Sequence, residues 1–128
     1  MNRSLGRFKL GFEKVELRIR SGEGGSAALC PVNGASGRIT IGIETDLWEE
    51  VYSVLLHEAM EYALHRNGCS YSPSCDFTNN PGARTFVVDH QKFDLSCRMA
   101  GEFITECYSL LLLAWKKHTK QVQSRTLR

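Results

Sequence analysis

Alternating apolar and polar residues predict two β-strands near the start of the chain. Within residues 7–20, Val15, Leu17 and Ile19 alternate with charged side chains, which is typical of a half-buried strand. Residues 38–45 repeat the pattern, with isoleucine at every second position. We expect the two strands to pair antiparallel, and the glycine-rich residues 21–37 to form a loop between them.

Two longer segments show the spacing of amphipathic helices. The first runs from about 47 to 66, with Thr45 or Asp46 as N-cap, Glu49 completing a capping box and Asn67-Gly68 as the stop. The second runs from about 90 to 118, with Asp89 as its N-cap candidate. The expected core face of the first helix is Trp48, Tyr52, Leu55, Ala59, Tyr62 and Ala63, and that of the second is Phe93, Cys97, Ile104, Tyr108, Leu111 and Trp115.

This order predicts an α+β fold, in which a short antiparallel sheet of two or three strands packs against two main helices. Residues 67–85, rich in Ser, Asn, Pro and Gly, are expected to form a long loop. We expect one domain over residues 1–118, followed by a polar, basic and weakly structured tail at 119–128.

Composition and charge indicate which broad class of protein the chain belongs to. The 128 residues are 42% hydrophobic and 23% charged with a net charge of +2, which indicates a globular chain. No apolar run is long enough for a membrane span, and no signal-peptide core is visible, so a cytoplasmic protein is expected. Residues 116–128 hold five basic residues and no acidic one, but without interleaved aromatics they indicate a solvated helix end rather than a nucleic-acid partner.

The five cysteines are scattered and form no CxxC pair, which predicts reduced thiols. Cys69 and Cys75 are separated by five residues, which is not a usual zinc-ligand spacing. Cys97 and Cys107 fall in the second helix and are expected to be small core residues.

The first helix carries the one candidate chemical site. His57, Glu61 and His65 follow one another at intervals of four residues and form a stripe that faces away from the expected core. Ligands at positions i and i+4 converge on one helical face, so His57 and Glu61 could hold a metal ion. The alternative is an ordinary solvated helix face.

The segment LLHEAMEYALH resembles the active-site helix of zincin metallopeptidases, whose motif is His-Glu-x-x-His. It is also similar to small metallopeptidase-like proteins of bacteria and their prophages. The resemblance implies that His57 is the first zinc ligand and Glu58 the catalytic base. Glu61 stands in place of the second histidine, which changes the charge of such a site.

The second helix offers a third ligand. His90 and Asp94 lie along the margin of its expected apolar stripe, where Gly101 would permit close approach of another element. We therefore predict a zinc site of His57, Glu61 and His90, with Asp94 orienting His90 and a water as the open ligand. His65 is an alternative ligand, and a local hydrogen bond at the helix start is an alternative role for His90.

Three functions remain open on this basis. The first is a zinc-dependent metallopeptidase-like protein that uses the HExxE helix. The second is a non-catalytic interaction or regulatory module of phage or mobile-element origin, in which the leucine-rich second helix serves a protein or peptide partner or a homo-oligomer. The third, a DNA-associated regulator, rests on the basic tail alone.

Overall fold

The computed structural model describes residues 1–29, 37–72, 80 and 83–126. The chain has two long helices, α1 at Trp48–Arg66 and α2 at His90–Thr126. The strands are β1 (Asn2–Leu10), β2 (Glu13–Arg20), β3 (Gly25–Ala28), β4 (Arg38–Gly42), β5 (Ser70–Tyr71) and β6 (Thr85–Phe86). The predicted α+β class is confirmed, although the sheet is larger than expected.

The main sheet has the order β1-β2-β4-β3 and mixes strand directions. The predicted antiparallel pairing of the two alternating segments is wrong, because β2 and β4 run parallel, with Leu17 opposite Ile39 and Ile19 opposite Ile41. The antiparallel partner of β2 is β1, which the chain reaches through a tight turn at Gly11 and Phe12. The single strand expected at residues 7–20 is thus the greater part of a hairpin.

The glycine-rich segment predicted as a loop contains strand β3. Gly25–Ala28 pairs antiparallel with β4 and forms the far edge of the sheet. Gly22 and Gly24 have positive φ, a backbone conformation that glycine adopts readily. The carbonyl of Gly24 accepts a hydrogen bond from the backbone N–H of Gly42. Two adjacent parallel strands require a crossover between them, and β3 lies in the part of the chain that joins β2 to β4.

Helix α1 begins and ends close to the predicted residues. Its stop at Asn67-Gly68 is confirmed, with Gly68 at a φ of +74°. The predicted cap is wrong: Leu47 occupies the N-cap position and no side chain caps the helix there. Thr45 instead accepts a hydrogen bond from the Leu47 backbone and donates one to Glu50.

Helix α2 differs from its prediction in length and in its buried face. It continues to Thr126, through most of the expected tail, and Asp89 is its N-cap, accepting a 2.8 Å hydrogen bond from the Lys92 backbone. Phe93 and Cys97 are exposed, so the predicted stripe is rotated. The buried residues are Ser96, Met99, Ala100, Phe103, Cys107, Leu111 and Ala114. Four of these side chains, those of Ser96, Ala100, Cys107 and Ala114, are small and let α2 approach its neighbours closely.

The core lies between the helices and one face of the sheet. The alternating residues of β2 and β4 point into it, as predicted, and Tyr62, Leu55, Phe103 and Leu111 fill the space from the helices. Aromatic side chains close one end, where Trp48 contacts Tyr108 edge to face and lies 5.7 Å from Trp115 between ring centroids. Neither described helix is long and apolar enough to cross a membrane.

The three cysteines among the described residues, Cys69, Cys97 and Cys107, form no disulfide with one another. Cys107 is buried as expected, and burial raises its pKa to about 12. The expectation for Cys97 is wrong, because its side chain is exposed. Cys75, and with it the spacing from Cys69, lies outside the described residues.

Candidate metal centre

The helical stripe predicted on α1 brings two potential ligands into direct contact. Nε2 of His57 lies 3.0 Å from Oε2 of Glu61, one turn further along the helix. The two side chains are 69% and 40% exposed, so solvent reaches both. The predicted i, i+4 convergence of His57 and Glu61 is therefore present.

Glu58 lies beside this pair but is buried, with only 7% of its surface accessible. The covering element is β3: a Cβ built on Gly25 would lie 3.0 Å from Cγ of Glu58 and 2.6 Å from Cγ1 of Val54. The strand can pass this close to α1 because Gly25 has no side chain. The edge strand β3 therefore covers α1 on one side of the His57–Glu61 pair.

Burial has an electrostatic consequence for Glu58. Loss of solvent raises the pKa of its carboxyl group, the negative charge of Glu61 raises it further, and His57 opposes both effects. A carboxylate in such surroundings is a stronger base than an exposed one, and a nearby cation would offset the cost of its charge.

The three side chains form a cluster with the composition of a cation site. One ligand atom from each of His57, Glu58 and Glu61 lies within 4.8 Å of the others. Two ligand atoms each about 2.1 Å from a tetrahedral zinc are roughly 3.4 Å apart. The 3.0 Å between His57 and Glu61 is close to this separation, so small rotations of the two side chains would admit an ion.

The residues predicted from α2 do not join this cluster. His90 is the exposed first residue of α2, and Asp94 pairs with Arg98 at 3.1 Å. The expectation that His90 and Asp94 lie along the margin of the buried stripe is wrong, because both are exposed and the buried part of α2 begins at Ser96. Gly101 is exposed, and no atom of the described residues lies within 4 Å of a Cβ built on it, so none of the described elements packs closely against it.

His65 also remains outside the cluster, although it belongs to the same helical stripe. It is exposed in the last turn of α1. The described cluster is therefore built from one helix, and each of its members lies within a single turn.

The residue that sequence reasoning missed is Gly25, which sets how deeply Glu58 is buried. Glycine occupies three of the four positions 22–25 and five positions within residues 21–37, a composition that indicates a loop as readily as a close-packed edge strand. Only the approach of β3 to α1 distinguishes the two.

Comparison with models of known protein families, with curated proteins and with solved structures found no match to this chain.

Proposed function

We propose that the chain is a divalent-metal-dependent hydrolase of the metallopeptidase-like type, with its centre on α1. The observation that carries this proposal is the convergence of His57, Glu58 and Glu61 within 4.8 Å. An imidazole and carboxylates are ligands suited to zinc. The resemblance of the HExxE helix to the zincin motif agrees with the same assignment.

In this proposal His57 and Glu61 hold the metal, because both are accessible and already adjacent. Glu58 is the base: its buried carboxylate accepts the proton of the attacking water. A bound zinc would polarise the scissile carbonyl and lower the pKa of that water. Two protein ligands from one helix leave coordination positions for water, for substrate or for a further ligand.

The first experiment measures metal. Untagged protein is titrated with Zn²⁺ by calorimetry, alongside His57→Ala and, as a matched control, His65→Ala. His65 is an exposed histidine of the same helix outside the cluster, so its loss should leave binding intact. We expect one site per chain that disappears in His57→Ala. Equal affinity in both variants, or no binding to the unaltered protein, would refute the metal centre.

The second experiment separates catalysis from binding. Zinc-loaded protein is incubated with unfolded casein and peptide mixtures, and cleavage is followed by mass spectrometry. Glu58→Gln should keep the metal while its cleavage rate falls at least a hundredfold, since removal of a general base typically has that effect. Cleavage that persists in Glu58→Gln would exclude the assigned base.

A second function has its own support. Phe86, Val87, Val88 and Phe93 lie close in sequence around the start of α2, and each is at least 39% exposed. Grouped exposed apolar side chains are typical of protein-interaction sites. Zinc binding without any Glu58-dependent cleavage would favour a non-catalytic interaction module in which the metal is structural.

A further inference from the structure

The four-stranded sheet has an outer face that the helices do not cover. Val15, Leu17 and Ile19 point inward to the core, so the residues between them on β2 point outward. The register then assigns the neighbours on β1, β4 and β3 to the same outer face. Its charged residues are Arg7, Lys9, Lys14, Glu16, Arg18, Arg20 and Arg38.

The charges of this face are almost all of one sign. Six of the sixteen basic residues and one of the fourteen acidic residues lie on it, so the face carries +5. The other ten basic and thirteen acidic residues give the remainder of the chain a charge of −3. The net charge of +2 is thus small, but positive and negative charges are unevenly distributed, which creates a positive potential over the outer face.

The single acidic residue of the face orients two of the arginines. Glu16 lies 3.4 Å from Nη1 of Arg18 through one oxygen and 3.4 Å from Nε of Arg38 through the other. Asn2 accepts a 2.9 Å hydrogen bond from Nε of Arg18. These contacts leave Nη2 of Arg18 and both terminal nitrogens of Arg38 without a partner among the described residues. Arginines held in this way present fixed donors to an anion.

Arg7 and Lys14 are two further basic residues of the outer face. Both are exposed, and within the described part of the chain neither makes an ion pair. Lys9 is different, since its ammonium group lies 3.5 Å from Glu102 of α2 at the sheet edge. The free positive charge is thus concentrated over β1, β2 and the start of β4.

We propose that this outer face binds the phosphate backbone of a nucleic acid. Arginine is suited to phosphate because its planar donors match two oxygens at once. The polar neighbours Ser4, Thr40 and Ser26 add hydroxyl donors of the kind that contact phosphates.

The composition of the face favours a nucleic acid over a membrane surface. Interfacial binding to lipid requires apolar side chains that enter the bilayer beside the basic ones. Apart from Ala28, the outward residues of the sheet are charged, polar or glycine. The face also has no aromatic residue, so the expected binding follows the backbone and does not read bases.

Fluorescence anisotropy with labelled oligothymidine, between about 50 and 200 mM salt, tests the proposal. The decisive variant is Arg7→Ala/Lys14→Ala, which removes two positive charges that have no ion-pair partner among the residues that the structure describes. Each lost phosphate contact should lower the salt slope of the association constant by about 0.7, so the double variant should lose about 1.4. At about 0.1 M salt this corresponds to roughly 25-fold weaker binding.

The matched control is Lys116→Ala/Lys120→Ala, which changes the net charge equally but lies on exposed positions of α2. This variant should keep the affinity and salt slope of the unaltered protein. Circular dichroism verifies folding, and Arg7→Gln/Lys14→Gln repeats the charge removal with longer side chains. Each variant is also tested with duplex DNA and with vesicles that contain phosphatidylserine.

Three results would overturn the proposal. The first is no binding of either oligonucleotide by the unaltered protein at about 50 mM salt. The second is an equal loss of affinity in the control variant, which would indicate a general charge effect. The third is binding of vesicles alone, which would assign the face to a membrane. Zinc binding is measured on the same variants, so failure of this proposal is distinguishable from failure of the metal centre.

Discussion

Replacement of Gly25 by alanine tests whether β3 packs against α1 as closely as the burial of Glu58 requires. The new Cβ would lie 2.6 Å from Cγ1 of Val54, 3.0 Å from Cγ of Glu58 and 3.0 Å from the carbonyl oxygen of Thr40. Carbon atoms in contact prefer separations of about 3.5–4.0 Å. Because the oxygen belongs to the backbone of β4, the methyl group cannot move away from the helix without straining the sheet.

The expected cost follows from two opposing terms. Added atoms in a packed interior typically destabilise by about 1–3 kcal/mol, and contacts on three sides place Gly25→Ala in the upper half of that range. Gly25 has no positive φ, so alanine adopts its backbone freely and gains about 0.4–1 kcal/mol from a less flexible unfolded chain. The free energy of unfolding should therefore fall by about 2 kcal/mol.

Urea denaturation measures this change. With a slope of about 2 kcal/mol per molar urea, the midpoint should fall by about 1 M. The control is Gly101→Ala, at an exposed helical position where no described residue has an atom within 4 Å of the new Cβ. That substitution should raise stability by up to about 1 kcal/mol, since alanine favours the helix.

A double-mutant cycle with Val54→Ala assigns the cost to the contact. The truncation removes Cγ1, the atom closest to the new methyl group, so Gly25→Ala should cost at least about 1 kcal/mol less in that background. Effects that add within about 0.5 kcal/mol would refute the proposed contact. So would a Gly25→Ala variant as stable as the unaltered protein.

Two further predictions concern titrating groups. Burial raises the pKa of Glu58 in the folded state, so its contribution to stability is greatest below pH 4.5 and is lost as the pH rises through that raised pKa. In urea denaturation, Glu58→Gln should therefore be more stable than the metal-free unaltered protein at pH 7 but not at pH 4. Equal differences in the free energy of unfolding at the two pH values would contradict this. Burial raises the pKa of Cys107 to about 12, whereas Cys97 is exposed. Cys97→Ser should therefore remove one rapidly reacting thiol in an assay with Ellman's reagent at pH 8, while Cys107→Ser should change only the count after unfolding.

Local patterns in the sequence determined the parts of this protein that depend on near neighbours. The alternation of Val15, Leu17 and Ile19 fixed which side of β2 faces the core, because successive side chains of a strand point to opposite faces. The helical repeat likewise brought His57 and Glu61 together, one turn apart on α1. Both features arise within a single element and need no knowledge of what packs against it.

The tertiary structure alone decided how these elements combine. Parallel pairing of β2 with β4, and insertion of β3 at the sheet edge, depend on contacts between distant segments that periodicity does not encode. The rotation of α2 has the same origin, since the predicted stripe was chosen from the large apolar side chains and omitted Ala100 and Met99, which packing against other elements buries.

The two proposed sites show most clearly which features follow from local sequence and which require tertiary packing. The burial of Glu58 could not be predicted from its own helix, because the strand that covers it contains Gly25, more than thirty positions earlier in the chain. The basic residues of the outer face are also far apart in sequence. Arg7, Arg18 and Arg38 share that face only because three strands pair in a fixed register. Side-chain type and spacing are properties of the chain, whereas local charge density and burial exist only after distant segments pack together.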